Sequence, residues 1–225
     1  MKRQALLLNF YHAMLAELGP SHWWPGQTPF EIALGAILTQ NTNWTNVEKA
    51  LHNLRSSNVL QPDALNALGD DELETLIRPA GFFRIKTKRI RNFLRFLGEE
   101  SAFEMDLLRF QDMNLLRDKL LETSGIGPET ADSILLYALS YPSFVVDAYT
   151  WRILTRHALI PEDATYDEIR SLFMDALPED VSLFQEYHAL LVRTAQGWCY
   201  KKKPLCSNCP LGIFIDGNLD LSCKN

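Results

Sequence analysis

Between Leu120 and Arg152 the chain reads LLETSGIGPETADSILLYALSYPSFVVDAYTWR, and no other stretch restricts the fold as much. Ser124-Gly125-Ile126-Gly127 separates two segments of helical character and leaves room only for a tight hairpin. Gly125 and Gly127 allow positive φ and close backbone approach, and Pro128 opens the second helix where its missing N–H costs nothing. Such a turn can aim backbone N–H groups at an anion, so Ser124, Gly125, Ile126 and Gly127 are candidates for gripping a phosphate. Ile126, Ala131, Ile134, Leu135 and Ala138 recur at helical spacing, which packs the two helices together and turns the hairpin tip outward. A single carboxylate, Asp147, arrives 20 residues after Gly127. Each part has an ordinary alternative: Gly-x-Gly before a helix is also a capped turn, and an Asp before a helix is also an N-cap.

Helical spacing continues through the rest of the chain. Helices are expected at 3–18, 29–39, 44–54, 62–68, 70–77, 102–108, 112–122, 150–157, 165–176 and 181–196. No alternating apolar and polar run is long enough for a sheet, so the fold class is all-α. With 225 residues, 47% of them hydrophobic, the chain can bury one large core or two small ones. The opening MKRQALLLNFYHAMLAELG is interrupted by Asn9, His12 and Glu17, which argues for an amphipathic helix, with no membrane span and no export. A cytoplasmic protein is therefore expected, nucleoid-associated if bacterial. The net charge of -6 gives no hint of nucleic acid, so any such partner must be met by a local basic face.

One face of that kind lies at 84–91, where five cations occur in eight residues with no acid among them. Lys86, Lys88 and Arg89 are its candidate phosphate contacts; a solvated helix face is the plain alternative. Trp23 and Trp24 stand side by side between Pro20 and Pro25, and adjacent residues do not both enter one core face, so at least one indole is expected at a pocket or groove. Gln40-Asn41-Thr42-Asn43-Trp44 is a polar turn before the next helix, able either to cap it or to bond base edges. His188, on the apolar face of the 181–196 helix, reads as a core histidine.

All four cysteines, Cys199, Cys206, Cys209 and Cys223, fall in the last 27 residues. In a chain without an export signal this argues for metal ligation rather than disulfides, and four thiolates suit zinc or an iron-sulfur cluster on chemical grounds alone. Lys201, Lys202 and Lys203 lie inside the first inter-cysteine loop, where an anchored backbone would hold three cations against a phosphate chain.

The pattern apolar-x-x-x-Gly-apolar-Gly-x-x-x-Ala followed by Val145-Val146-Asp147 resembles the helix-hairpin-helix (HhH-GPD) DNA glycosylases of the endonuclease III superfamily. C-x6-C-x2-C matches the start of that family's [4Fe-4S] loop; the last spacing departs, with 13 residues before Cys223 where the family usually has five. The resemblance implies a two-lobed helical fold, a barrel lobe at 28–140 and a second lobe of 1–27 with 141–225 that carries the cysteine loop at 199–223, with the active site in the cleft between them. It implies a [4Fe-4S] cluster, with zinc as the alternative, and a monomer acting on double-stranded DNA that contains a damaged base. Gln40 then matches a minor-groove wedge glutamine, and Asp147 the catalytic aspartate beside the sugar. Where bifunctional members carry a Schiff-base lysine this chain has Glu129, which implies a monofunctional enzyme with water as nucleophile. Glu129 together with Trp23, Trp24 and Trp44 looks like the 3-methyladenine branch, because indole faces and a carboxylate attract a cationic alkylated purine. The rivals are a glycosylase for oxidised or mismatched bases, a DNA-binding protein without catalysis, and a metal-dependent redox module.

Overall fold

The computed structural model describes residues 2 to 21, 23 and 26 to 215. In chain order the helices are α1 (Lys2–Leu18), α2 (Pro29–Thr39), α3 (Trp44–Ser56), α4 (Pro62–Ala67), α5 (Asp70–Ile77), α6 (Phe83–Ser101), α7 (Met113–Glu122), α8 (Pro128–Ser133), α9 (Ala148–Arg156), α10 (Tyr166–Met174) and α11 (Val181–Gly197). Among the described residues there is no strand, in keeping with the all-α expectation. No described helix is long and apolar enough to cross a membrane. Contacts gather the chain into two units, Trp24–Tyr141 and Met1–Trp23 with Pro142–Asn225.

In the first of these units α2 is the central rod. Thr28 caps it by accepting from Glu31 N, Pro29 supplies its first turn, and Phe30, Ala33, Leu34, Ile37 and Leu38 are all buried. Around it α6 buries Ile90, Phe93, Leu94 and Leu97, and each such side chain contributes about 1.5–3 kcal/mol through the area it removes from water. The expected helix at 102–108 does not form. Ala102 and Phe103 take φ of 49° and 69°, ending α6 in a left-handed turn, and the chain resumes as a 3-10 turn at Met105–Phe110. After α8 the backbone widens into a π turn at Ile134–Ala138, which keeps Ile134, Leu135, Leu136 and Ala138 buried.

The other unit is built on aromatic contacts. The Phe144 and Phe173 rings stack with centroids 3.8 Å apart, and Tyr187 meets both edge-on. The Tyr187 hydroxyl donates to Leu7 O at 2.7 Å, so α11 is keyed to α1 at the residue just before His188. Burial raises the Tyr187 hydroxyl's pKa far above its ordinary value, so it acts here as a neutral donor. Thr165 caps α10 in a reciprocal box with Glu168.

Candidate functional site

The hairpin is held by side chains that its own sequence does not contain. Asn92 Nδ2 donates to Ser124 O at 2.9 Å, and Gln40 Nε2 donates to Gly125 O at 3.0 Å and to Thr130 Oγ1 at 2.9 Å. Arg89 Nη1 in turn donates to Gln40 Oε1. A trans peptide sets its C=O and N–H on opposite sides, so fixing Ser124 O toward α6 turns the Gly125 N–H away from it. Ile126 N donates to Thr123 O at 3.0 Å, and its side chain is buried. That leaves the Gly125 and Gly127 amides as the candidate donors for an anion, with Ile126 buried beneath the turn. Gly125 has φ of 97°, and a Cβ there would come within 2.3 Å of Arg89 Cγ, so both conformation and space require glycine. Gly127 differs from expectation: its φ is -93° and its Cβ position is open. Below the turn, Arg117 donates through Nε and Nη2 to the two oxygens of the wholly buried Asp132, at 2.9 and 3.0 Å, which clamps α7 to α8.

The basic segment divides in two. Lys88 is exposed and Arg89 is half-buried over Gly125. Lys86 is only 1% exposed, its Nζ donating at 2.7 Å to both Leu38 O and Ala80 O. That corrects its assignment as a phosphate contact, since it is an internal cap for the last turn of α2. Burial lowers its pKa to about 8, with a smaller push from Arg89. Phe82, which the sequence reading passed over, stands 64% exposed with φ of 46° immediately ahead of α6.

Trp44 lies at the start of α3, its indole against Gly35 and its Nε1 donating to Glu48 at 3.0 Å. A hollow of about 450 Å³ opens beside it, lined also by Glu31, Leu51, His52 and Arg55. The carboxylates around Trp44 are thus Glu31 and Glu48, while Glu129 is exposed in the first turn of α8. Trp23 is partly exposed in the other unit, and Trp24 lies outside the described residues.

Asp147 takes up the capping reading and keeps one carboxylate oxygen outside it. It is the N-cap of α9, and Oδ1 alone accepts Tyr149 N at 3.0 Å, Thr150 N at 2.7 Å and Thr150 Oγ1 at 2.9 Å. Oδ2 is left for other work and stands 3.6 Å from His188 Nε2, both side chains being 12% exposed. Burial pushes this carboxyl's pKa up, but the His188 imidazole and the Thr150 donors outweigh it and hold the value below the usual 3.8. An ionised oxygen in a nearly dry setting is suited to stabilising positive charge and to orienting water. His188 therefore stands against the candidate carboxylate, which its position on an apolar helix face did not reveal.

Cys199, Cys206 and Cys209 line one cavity together with Ile153, Arg156, His157 and Ile215. Burial raises the Cys209 thiol's pKa, with a smaller contribution from nearby Cys199. Arg156 Nη1 donates to Cys199 Sγ at 3.0 Å and to Tyr200 O at 2.7 Å, and Arg152 Nε donates to Cys199 O at 2.7 Å. Arg156 Nη2 reaches Lys201 O at 3.0 Å, so the turn bearing the exposed Lys201, Lys202 and Lys203 is tied to α9. Cys223 lies outside the described residues. Among those described, no three His, Cys, Asp or Glu side chains converge on a single-ion position. His157 is half-buried, and its Nδ1 is buried without a hydrogen-bond partner; burial lowers the imidazole's pKa to about 4.

Residues 34–179 match the family described as HhH-GPD superfamily base excision DNA repair protein. A protein of Methanocaldococcus jannaschii with the provisional name DNA repair glycosylase is 44% identical over 210 residues, 93% of this chain and 95% of its own. Helicobacter pylori 3-methyladenine DNA glycosylase, solved with 1,N6-ethenoadenine, superposes with a TM-score of 0.73 at 26% identity, covering 86% of this chain and 97% of that one. A non-covalent endonuclease III–DNA complex gives a TM-score of 0.80 at 21% identity over 95% of each chain, a likeness of fold.

Proposed function

Since this chain belongs to the HhH-GPD superfamily of base excision DNA repair proteins, and is thereby a DNA glycosylase acting on N-glycosyl bonds, we propose that it is a monofunctional one directed at alkylated bases of the 3-methyladenine kind. The observation that carries the monofunctional reading is Glu129 in the first turn of α8, which has no amine to offer; the hydrolysis itself is assigned to Asp147, whose Oδ1 takes three donors while Oδ2 stands 3.6 Å from His188 Nε2.

The chemistry follows from that carboxylate. The enzyme swings the damaged nucleotide out of the stack, since its glycosidic carbon is unreachable inside the duplex. As the bond to the base lengthens, positive charge develops on the sugar, and Asp147 Oδ2 stabilises it and aligns the water that completes hydrolysis. An alkylated purine is cationic and already a good leaving group, so the pocket must recognise the base more than protonate it. Trp44 offers an indole for that cation, and Glu31 and Glu48 line the same hollow. Glu129 stands in the first turn of α8 and offers no amine for a Schiff base, which supports water as the only nucleophile and an abasic site as the product. Phosphates would be met by the Gly125 and Gly127 amides, by Lys88 and Arg89, and by Lys201 to Lys203. Gln40, here bonded to the hairpin, would trade Gly125 O and Thr130 for base edges on entering the minor groove.

The donor set of Cys199, Cys206 and Cys209 around one cavity fits a thiolate-bound metal group. A [4Fe-4S] cluster, with zinc as the alternative, is the group this reading assigns to them. When bound, the group braces the lysine turn and takes no part in bond cleavage.

The test is release of free base from methylated duplex DNA by purified protein. Alkylated adenine should appear, with an alkali-labile but unbroken strand, and Asp147→Asn should bind the same DNA while losing base release by a hundredfold or more, roughly the scale of such catalysis. Because the Asp147 carboxyl is held below 3.8, release should not decline on its account between about pH 8 and pH 5. A covalent adduct trapped by borohydride, or release only of oxidised or mismatched bases, would overturn the reading.

A further inference from the structure

We propose that His157, through Nδ1, is the fourth protein ligand of the metal group held by Cys199, Cys206 and Cys209, and that Cys223 is dispensable for holding it. The inference rests on the reading that these cysteines bind a metal at all. It starts from a polar atom without a partner: His157 Nδ1 is buried and makes no hydrogen bond, although leaving such a group unsatisfied is costly. His157 lines the same cavity as the three cysteines.

Other members of the lining leave that place to His157. Arg156 is a cation that cannot ligate a metal, and its Nη1 is already on Cys199 Sγ, where it would stabilise a thiolate. Ile153, Leu211 and Ile215 are apolar, and Thr194 is a neutral hydroxyl, a poor ligand for a soft metal. His157 is also well fixed. It is the C-cap of α9, donating its N–H to Ile153 O at 3.1 Å, and its ring stands edge-on to Phe10 with centroids 5.0 Å apart. Three thiolates and one imidazole suit either zinc or a cluster, and in a cluster the neutral nitrogen would reduce the negative charge and raise the potential.

The experiment uses the full-length protein as purified, measuring iron, acid-labile sulfide and zinc per chain, with electron paramagnetic resonance of the reduced protein in ¹⁵N-histidine-labelled form. Cobalt replacement takes the place of the resonance measurement if zinc is found. Cys206→Ser serves as the control that loses the metal. Cys223→Ser should keep wild-type metal content and spectrum, and His157→Ala should lose most of the metal or its nitrogen coupling. His157→Cys should restore content with an all-sulfur spectrum and a lower potential, a gain that a merely misfolded variant does not produce. If Cys223→Ser empties the site as Cys206→Ser does, or if nitrogen coupling is absent from the wild type, the proposal fails while the metal reading stands. Wild-type protein free of all three elements after anaerobic purification would overturn both.

Discussion

Two exposed turns, the hairpin at Ser124 to Gly127 and the lysine loop at Lys201 to Lys203, are both suited to meeting phosphates, yet they are held in place by different means. The hairpin is supported by its own unit: Asn92 and Gln40 hold its carbonyls, Ile126 is buried beneath it, and Arg117 with Asp132 locks the flanking helices. The lysine loop buries little. It hangs from Arg152, Arg156 and a Leu205 N–H bond to Trp198 O, and its ends are the cysteines themselves. Preorganisation in the first case is built from hydrogen bonds and packing, and in the second, on the metal reading proposed above, it would depend on a bound group.

That contrast can be broken or sharpened by experiment. Removing the metal, by chelation or through Cys206→Ser, should have the largest effect, destabilising the unit that carries the loop by several kcal/mol and weakening DNA binding. Amide exchange at Ile126, whose N–H is bonded to Thr123 O, should stay as slow as before; loosening there would show that the two supports are one. Next comes Arg117→Met, which removes both Arg117 hydrogen bonds from the buried Asp132 carboxylate and should cost about 3–5 kcal/mol in a denaturant melt without changing metal content. Gly125→Ala should cost about 1–3 kcal/mol, from the left-handed φ and the collision with Arg89, and lower DNA affinity more than the lysine loop can compensate. The smallest effect separates two neighbouring lysines. Lys88→Ala should leave the melt unchanged and reduce the salt slope of DNA binding by about one, whereas Lys86→Met should cost about 1–3 kcal/mol and leave the slope alone.

The Lys86 result also has a sign in pH. Its folded-state pKa of about 8 lies below the ordinary 10.5, so the unfolded chain holds the proton longer and stability should rise as pH climbs through that interval. Lys86→Met should flatten the rise.

What could be read from the sequence was short-range. Thr28, Asp112, Thr165 and Asp180 bond the first turns of the helices that follow them, and Pro29 and Pro128 lie in such first turns. The hairpin and Asp147 were visible because their parts are close in sequence. Lys86 was misread although the signal was present: Lys86, Ile90, Phe93 and Leu97 follow helical spacing on the buried face of α6, and charge was weighed above period. The partnerships of Gln40 with Gly125, Arg117 with Asp132, and His188 with Asp147 were not legible, because each joins residues through tertiary packing and leaves no local trace. The helix expected at 102–108 failed for a local reason, two left-handed residues, Ala102 and Phe103, neither of them glycine.

One carboxyl group with two separate duties places a limit on how it can be dissected. An amide at position 147 has only one oxygen to share between the start of α9 and the histidine opposite. If that oxygen stays on the Thr150 donors, the helix survives and an NH2 group is turned toward His188; if it rotates, the chemistry keeps an acceptor and the helix loses its first bonds. A variant that folds normally and does nothing is thus the signature of the first choice, and it identifies which oxygen the reaction was using.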